Sequence, residues 1–321
     1  MKPAECLPAW TLLTRASLDA LLVGPDGSMP EALMLHSSLP GAEIANVPLV
    51  ATTRLMIERA QANDGLSLTA TGALSRVDTR AIFDAMSWPG YDKVHVLLMN
   101  KVLNEADVMP VEATRLIAQA AKLLRRRDRR LLATKKAQAL MAEGQSADLF
   151  RLLFEIVFWR VNLGYFDRVP VEQWPQNHIG IVLWCLSVAA QDWCTPVEMV
   201  PICTVRDEGL ESGPADFPGF AFESRVLRPL SWFGLIETRL VGEESQPEWR
   251  RERQYRKAPL FDRVLSFDVE VIRPSGAAHR GADASAERNS CGTLRKAIIR
   301  LELIANDGPR LARASRHQGA R

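Results

Sequence analysis

The stretch "LLRRRDRRLLATKKAQALM", Leu123 to Met141, decides how the first half of this chain is read. Two short runs, Leu124 to Arg126 and Arg130 to Thr134, flank Arg127, Asp128 and Arg129, so the backbone can fold back as a hairpin over those three residues. Thr134 then stands where a helix N-cap belongs, ahead of a closing helix through Met141. From Lys122 to Lys136 there are eight Lys and Arg against one acid, Asp128. Such a loop either grips a phosphate backbone or is a solvated face. The structural explanation is available, because cations after a helix C-terminus gain ~0.3 to 1 kcal/mol each, and Lys122, Arg125 and Arg126 sit there.

The preceding segment, Pro110 to Leu123, has helical periodicity with two stripes. Leu116, Ile117, Ala120 and Leu123 predict a core face, and Glu112, Arg115, Gln119 and Lys122 predict an outer face free to read something. Further back, apolar residues recur at helical spacing from Val47 to Ala62, and "NDG" at Asn63 to Gly65 stops them. "LSLTATGALS" reads as a short strand turning at Gly72, and Ser75 with Asp78 predicts an N-capped helix toward Met86. "SWPG" breaks that helix, and another is expected from about Asp92 to Leu103. Helix, short strand, helices, basic hairpin and helix is the order of a winged helix-turn-helix. In that arrangement wing arginines contact phosphates or a minor groove while an outer helix stripe faces the major groove. The candidate DNA-binding residues are therefore Arg115, Gln119, Lys122, Arg125, Arg126, Arg127, Arg129 and Arg130.

From Ser146 the segment "ADLFRLLFEIVFWRVNLGYF" is apolar on nearly every side, which predicts a helix buried between domains. "VPVEQWPQN" reads as a linker, "HIGIVLWCLSVAAQDW" as an apolar helix, and Thr195 with Glu198 as a capping box around Pro196. After a loop from Asp207 to Pro218 come a helix in "FAFESRVLRPLSWF", kinked or ended near Pro229, two strands in "GLIETRLV" and "WRRERQYRKA", and a closing helix in "PLFDRVLSF". The grammar of the first unit recurs. Arg250, Arg251, Arg253, Arg256 and Lys257 are offset by Glu243, Glu244, Glu248 and Glu252, and the turn between helices is long, so this second wing is expected to pack or bind a partner.

The expected fold is mainly α with short β-hairpins: two winged helix-turn-helix-like units joined by a buried helical spacer. Residues 1–45 form an N-terminal arm, 46–145 the first unit, 146–273 the spacer and second unit, and 274–321 a flexible basic tail. Within the tail, Pro274 to Gly292 is small and polar enough to predict disorder, and Ile299, Leu301 and Leu303 alternate as one strand would.

Charge is unevenly spread. The net charge is +2, yet residues 273–321 hold ten basic and four acidic residues, leaving thirty against thirty-four in the body. A globally basic nucleic-acid coat is excluded, and anion binding must be local. The N-terminus lacks a secretory pattern, and no apolar run is long enough for a spanning helix, which predicts a cytoplasmic protein without membrane contact. Five cysteines, Cys6, Cys185, Cys194, Cys203 and Cys291, form no CxxC pair and read as reduced thiols. His178 and Cys185 share a helical face seven residues apart, ~10 Å along the axis, too far to hold one ion. The sequence has no G-x-S-x-G, P-loop or G-x-G-x-x-G motif, and carboxylates such as Asp167, Asp192 and Asp262 show no pairing pattern, so neither a catalytic function nor a cofactor or metal is expected. Trp88, Trp159, Trp174, Trp184, Trp193 and Trp232 lie in apolar helices or at Pro turns and read as core anchors.

The stretches "LTATGALSR", "WPGYDK", "NKVLNEADVMP", "FWRVNLGYFDR", "WPQNHIGIVLW", "LRPLSWFGLIE" and "YRKAPLFDRVLSFDV" resemble an uncharacterised family of bacterial proteins, sometimes accompanied by a plasmid open-reading-frame-three-like domain. The resemblance covers about Val50 to Arg273, and "AIIRLELIANDGPRL" looks like the beginning of the accompanying domain. It implies no catalytic or ligand residue. The leading expectation is a DNA-binding winged-helix protein, regulatory or linked to a mobile element, with double-stranded DNA as partner. The alternative is a winged-helix protein-interaction scaffold, or homodimer, without DNA binding or catalysis.

Overall fold

A computed structural model describes residues 7–22, 27–88, 90–167, 173–207, 209, 214–246 and 248–272. The expected disorder at 274–292, the strand at 299–303 and the basic tail lie outside these residues. Helix accounts for about 53% of the described residues and the strands are short and antiparallel, so the protein is mainly helical with small hairpins.

The N-terminal segment carries α1 (Arg15–Ala20), β1 (Leu33–Leu35) and α2 (Gly41–Ala45). Then α3 (Pro48–Ala62) begins with Pro at its first turn, where no N–H is missed, and stops at "NDG" as its sequence demands. Asp64 and Gly65 take φ of 51° and 99°, and a Cβ on Gly65 would run into the Leu132 side chain and the Leu131 carbonyl. Glycine there lets β2 (Leu66–Ser67) turn back onto the hairpin. Ser75 caps α4 (Arg76–Ala85) through the Asp78 N–H. The next helices are α5 (Lys93–Met99) and α6 (Met109–Ala120). Lys122 adopts φ 59° and the Leu123 N–H bonds the Ala118 carbonyl at 2.8 Å, so α6 ends in a left-handed cap that aims the chain into the hairpin.

That hairpin is β3 (Leu124–Arg127) and β4 (Arg130–Ala133), with Arg126 opposite Leu131 and Arg127 opposite Arg130. Asp128 turns it at φ 54°, a conformation an aspartate tolerates. The three strands run in the order β2-β4-β3, and Thr134 caps α7 (Lys135–Leu140).

Next, α8 (Ser146–Trp159) lies against α2, α3, α6 and α7. Its Phe150, Phe154 and Phe158 are fully buried and surround Phe233 at ring distances of 5.1, 5.3 and 6.0 Å. This aromatic stack joins the two halves of the core. Helix α9 (Ile179–Ala189) is buried along nearly its whole length, followed by α10 (Pro196–Cys203), whose Thr195–Glu198 capping box forms as expected. Then come α11 (Phe217–Phe222), one π-helical turn (Glu223–Leu227) and α12 (Arg228–Trp232). The expected break at Pro229 is absorbed by that π turn: Pro229 becomes a first-turn residue of α12. Strands β5 (Ile236–Val241) and β6 (Glu252–Lys257) form the second hairpin, α13 (Pro259–Val264) follows, and β7 (Leu265–Phe267) closes the described chain.

The second half repeats the strand arrangement of the first. Cys194, just before capped α10, bridges Tyr255 of β6, so β6 lies between that residue and β5 as β4 lies between β2 and β3. The N-terminal segment completes this half. β1 pairs with β7, Leu13 bridges Val271, and Trp10 donates to the Thr204 carbonyl at 3.1 Å. Gly180 lies so close under the Leu21 carbonyl that no Cβ fits.

Candidate nucleic-acid interface

The eight residues expected to touch DNA fall into two groups. Lys122, Arg125, Arg126, Arg127, Arg129 and Arg130 are all exposed on the hairpin or at its base. None forms an ion pair among the described residues. Arg126 donates to the Asp128 carbonyl at 3.1 Å across the turn. Arg130 is different: it reaches back to the Asn63 and Asp64 carbonyls at 2.8 and 2.7 Å, tying the hairpin to the end of α3.

Arg115 and Gln119 are turned inward, which corrects the expectation of a free outer stripe on α6. Arg115 Nε lies 2.5 Å from Oε1 of Glu105, whose side chain is 2% exposed, and its Nη1 donates to Gln119 Oε1 at 2.7 Å. Glu105 also accepts the Leu74 N–H at 3.0 Å. The side chains buried on α6 are Pro110, Val111, Ala113, Thr114, Ile117 and Ala118, while Leu116 is half-buried and Ala120 exposed. The physical reason is the insertion between α4 and α6. Residues 86–108 bring a one-turn helix, Glu105–Asp107, against α6, and Tyr165 donates to Glu112 from the other side at 3.3 Å. A connection of that length also exceeds the ~3 or 4 residues of a DNA-reading helix-turn-helix.

Helix α5 is shorter than expected, ending at Met99, and has no buried residue. Lys93 anchors it through the Asp84 and Met86 carbonyls, whereas Leu98 is 78% and Met99 70% exposed, with Val94 and Val102 beside them. Sequence periodicity marks such residues as apolar but cannot say that no neighbour covers them.

On the second hairpin Arg253, Arg256 and Lys257 each have a carboxylate partner. Arg253 shares Glu223 with Arg228, Arg256 pairs with Glu237 at 2.6 Å, and Lys257 pairs with Asp262 at 2.7 Å. Tyr255 donates to Glu223 at 2.8 Å, and burial followed by that carboxylate's charge pushes its phenol well above its usual range. Trp193, expected in the core, is instead half-exposed between the guanidinium groups of Arg239 and Arg256, each 4.6 Å from its ring. Its place between an apolar helix and a capped one, on neither, was the available signal. The other five expected tryptophan anchors are buried. Cys185, Cys194 and Cys203 are buried thiols, and burial raises the pKa of Cys185 and Cys203. Among the described residues no three His, Cys, Asp or Glu side chains gather as a metal site, and no helix is long and apolar enough to cross a membrane.

The fold and hairpin define a mainly helical protein with a solvent-facing cationic loop. Residues 45–146, which contain that loop, match the family model described as the Y4jL N-terminal domain. The uncharacterized protein y4jL of Sinorhizobium fredii (strain NBRC 101917 / NGR234) is 28% identical over 123 residues, 38% of this chain and 55% of the relative. The chain thus spans about half the length of that relative, and the similarity supports an uncharacterised bacterial family. The family-model match ends at residue 146, short of the 273 that the quoted stretches implied, and neither match names an open-reading-frame-three-like domain. No solved structure matches the chain.

Proposed function

We propose that the first half is a winged-helix unit that holds double-stranded DNA by its hairpin, in a regulatory role or in a mobile element. The observation that carries this reading is the set Arg125, Arg126, Arg127 and Arg129: exposed and without a carboxylate partner among the described residues, on a turn fixed by Asp128 and by Arg130 behind it. The strand order β2-β4-β3, with the β3–β4 hairpin following α6, supports the winged-helix reading of this unit, and the repeat of that order around β6 supports a second. Because Arg115 and Gln119 are engaged within the protein, contact is to phosphates and groove shape rather than to base edges, so sequence preference is weak. Replacing Arg125, Arg126 and Arg127 together by Ala tests it. A labelled duplex at ~50 mM salt loses binding while the melting temperature holds; binding that survives in the folded variant removes the hairpin as the site.

The α5 face favours a second reading, a protein-interaction scaffold or homodimer built on the same units. Leu98→Lys with Met99→Lys would then abolish self-association in sedimentation and leave DNA binding untouched.

A further inference from the structure

Between the two halves runs a cavity of about 1110 Å³. It is slightly larger than the roughly 300 to 1,000 Å³ of most small-molecule sites, which favour such junctions. We propose that it binds a small planar anion, an aromatic ring bearing a phosphate or carboxylate group. This inference does not depend on the DNA reading.

The first half contributes Trp88 and Tyr91, and the second contributes Trp193 and Trp232. Trp88 and Trp232 meet at 5.9 Å with planes 55° apart, so one buried aromatic pair spans the seam. Tyr91 is held by its bond to the Asp107 carbonyl at 3.2 Å, and burial with the Asp107 charge pushes its phenol up to about 12, keeping it a neutral donor. The buried Trp88–Trp232 pair floors the seam, and half-buried Tyr91 offers a ring edge and face to a flat ligand beside the arginine-stacked Trp193.

The charge on the wall favours an anion. Arg228, Arg239, Arg251 and Arg253 line the cavity. One carboxylate, Glu223, serves both Arg228 and Arg253. Among the described residues Arg239 hydrogen-bonds only the neutral Gln254 amide oxygen, at 2.6 and 3.0 Å, and lies over Trp193. Arg251 donates to the Leu240 carbonyl at 3.4 Å and its buried Nε has no partner among the described residues. An unsatisfied buried donor is costly and calls for an acceptor. Of the three acids lining the cavity, Glu43 and Glu237 are engaged by Arg263 and Arg256, and Glu248 is exposed at its edge, leaving four arginines against one carboxylate on the wall that is unengaged among the described residues. A guanidinium fork matches phosphate or carboxylate, and Trp193 shows that this wall stacks planar groups.

Calorimetric titration of the full chain, with adenosine 5′-monophosphate and salicylate as probes, separates the phosphate from the carboxylate source. Either probe, or both, should saturate a single site below about 10 mM, and adenosine or benzamide should bind about tenfold more weakly or worse. Arg239→Ala with Arg251→Ala should weaken binding by about tenfold or more, while Arg125→Ala with Arg127→Ala leaves it unchanged. Should the first pair fail to fold, Trp193→Leu alone, checked by circular dichroism, gives the same loss. No saturation by either charged probe, neutral analogues binding as well as the anions, or folded groove variants that bind like the parent would overturn the proposal.

Discussion

Arg115 and Glu105, ten residues apart in sequence, meet at 2.5 Å inside the first unit, so the residue best placed on α6 to read DNA is committed to a buried carboxylate. Glu105 thereby also holds the insertion before α6 against the start of α4 through the Leu74 N–H. Glu105→Gln leaves a largely buried guanidinium without its counter-charge, and urea denaturation should show a loss of about 3 to 5 kcal/mol. A stability equal to that of the parent would mean the pair is not formed in solution.

The hairpin arginines divide by partner. Arg130 satisfies two carbonyls at the end of α3, so Arg130→Ala should destabilise by about 1 to 2 kcal/mol. Arg127→Ala, with no partner among the described residues to lose, should stay within about 0.5 kcal/mol. Thermal melts of the two variants side by side test the division, and equal losses would refute it.

Phe154 touches Phe150, Phe158, Trp159 and Phe233, which makes it the centre of the packing between halves. Phe154→Ala should cost about 3 to 5 kcal/mol, measured by the shift of the urea midpoint at constant slope. A shift of under about 1 kcal/mol would show that the site collapses around the loss.

Much of this fold could be read from local signals that no tertiary contact overrides. Ser75, Thr134 and Thr195 cap helices because short hydroxyl side chains accept the N–H three residues on, and Gly65 stops α3 because only glycine fits there. The hairpin at Asp128 and the apolar Ser146 helix were legible for similar reasons. What was not legible depends on neighbours distant in sequence. The outer stripe of α6 looked free because periodicity reports polarity, and nothing in residues 110–123 announces that Glu105 will pair with Arg115. Likewise Arg130 shares its composition with Arg127, and only the turn after α3 makes one structural and the other free. The cavity near Trp193 needed both halves in place.

His178, at the entrance to α9, has its pKa lowered from 6.5 by burial, with the Asp207 charge opposing. A base whose folded pKa is depressed binds its proton first in the unfolded chain, so stability falls as pH drops below about 6.5 toward the folded value. His178→Asn should flatten the dependence of the urea midpoint on pH across that window. An unchanged slope would place the acid sensitivity at another group.

The salt dependence of duplex binding reaches the central claim most directly. If the hairpin neutralises about four phosphates, log affinity falls against log salt with a slope of about −3.6, or roughly 150-fold between ~50 and ~200 mM. The account predicts that slope for the parent and a shallower one for the Arg125, Arg126 and Arg127 alanine variant. No binding at either salt, or the same slope in both proteins, would contradict it.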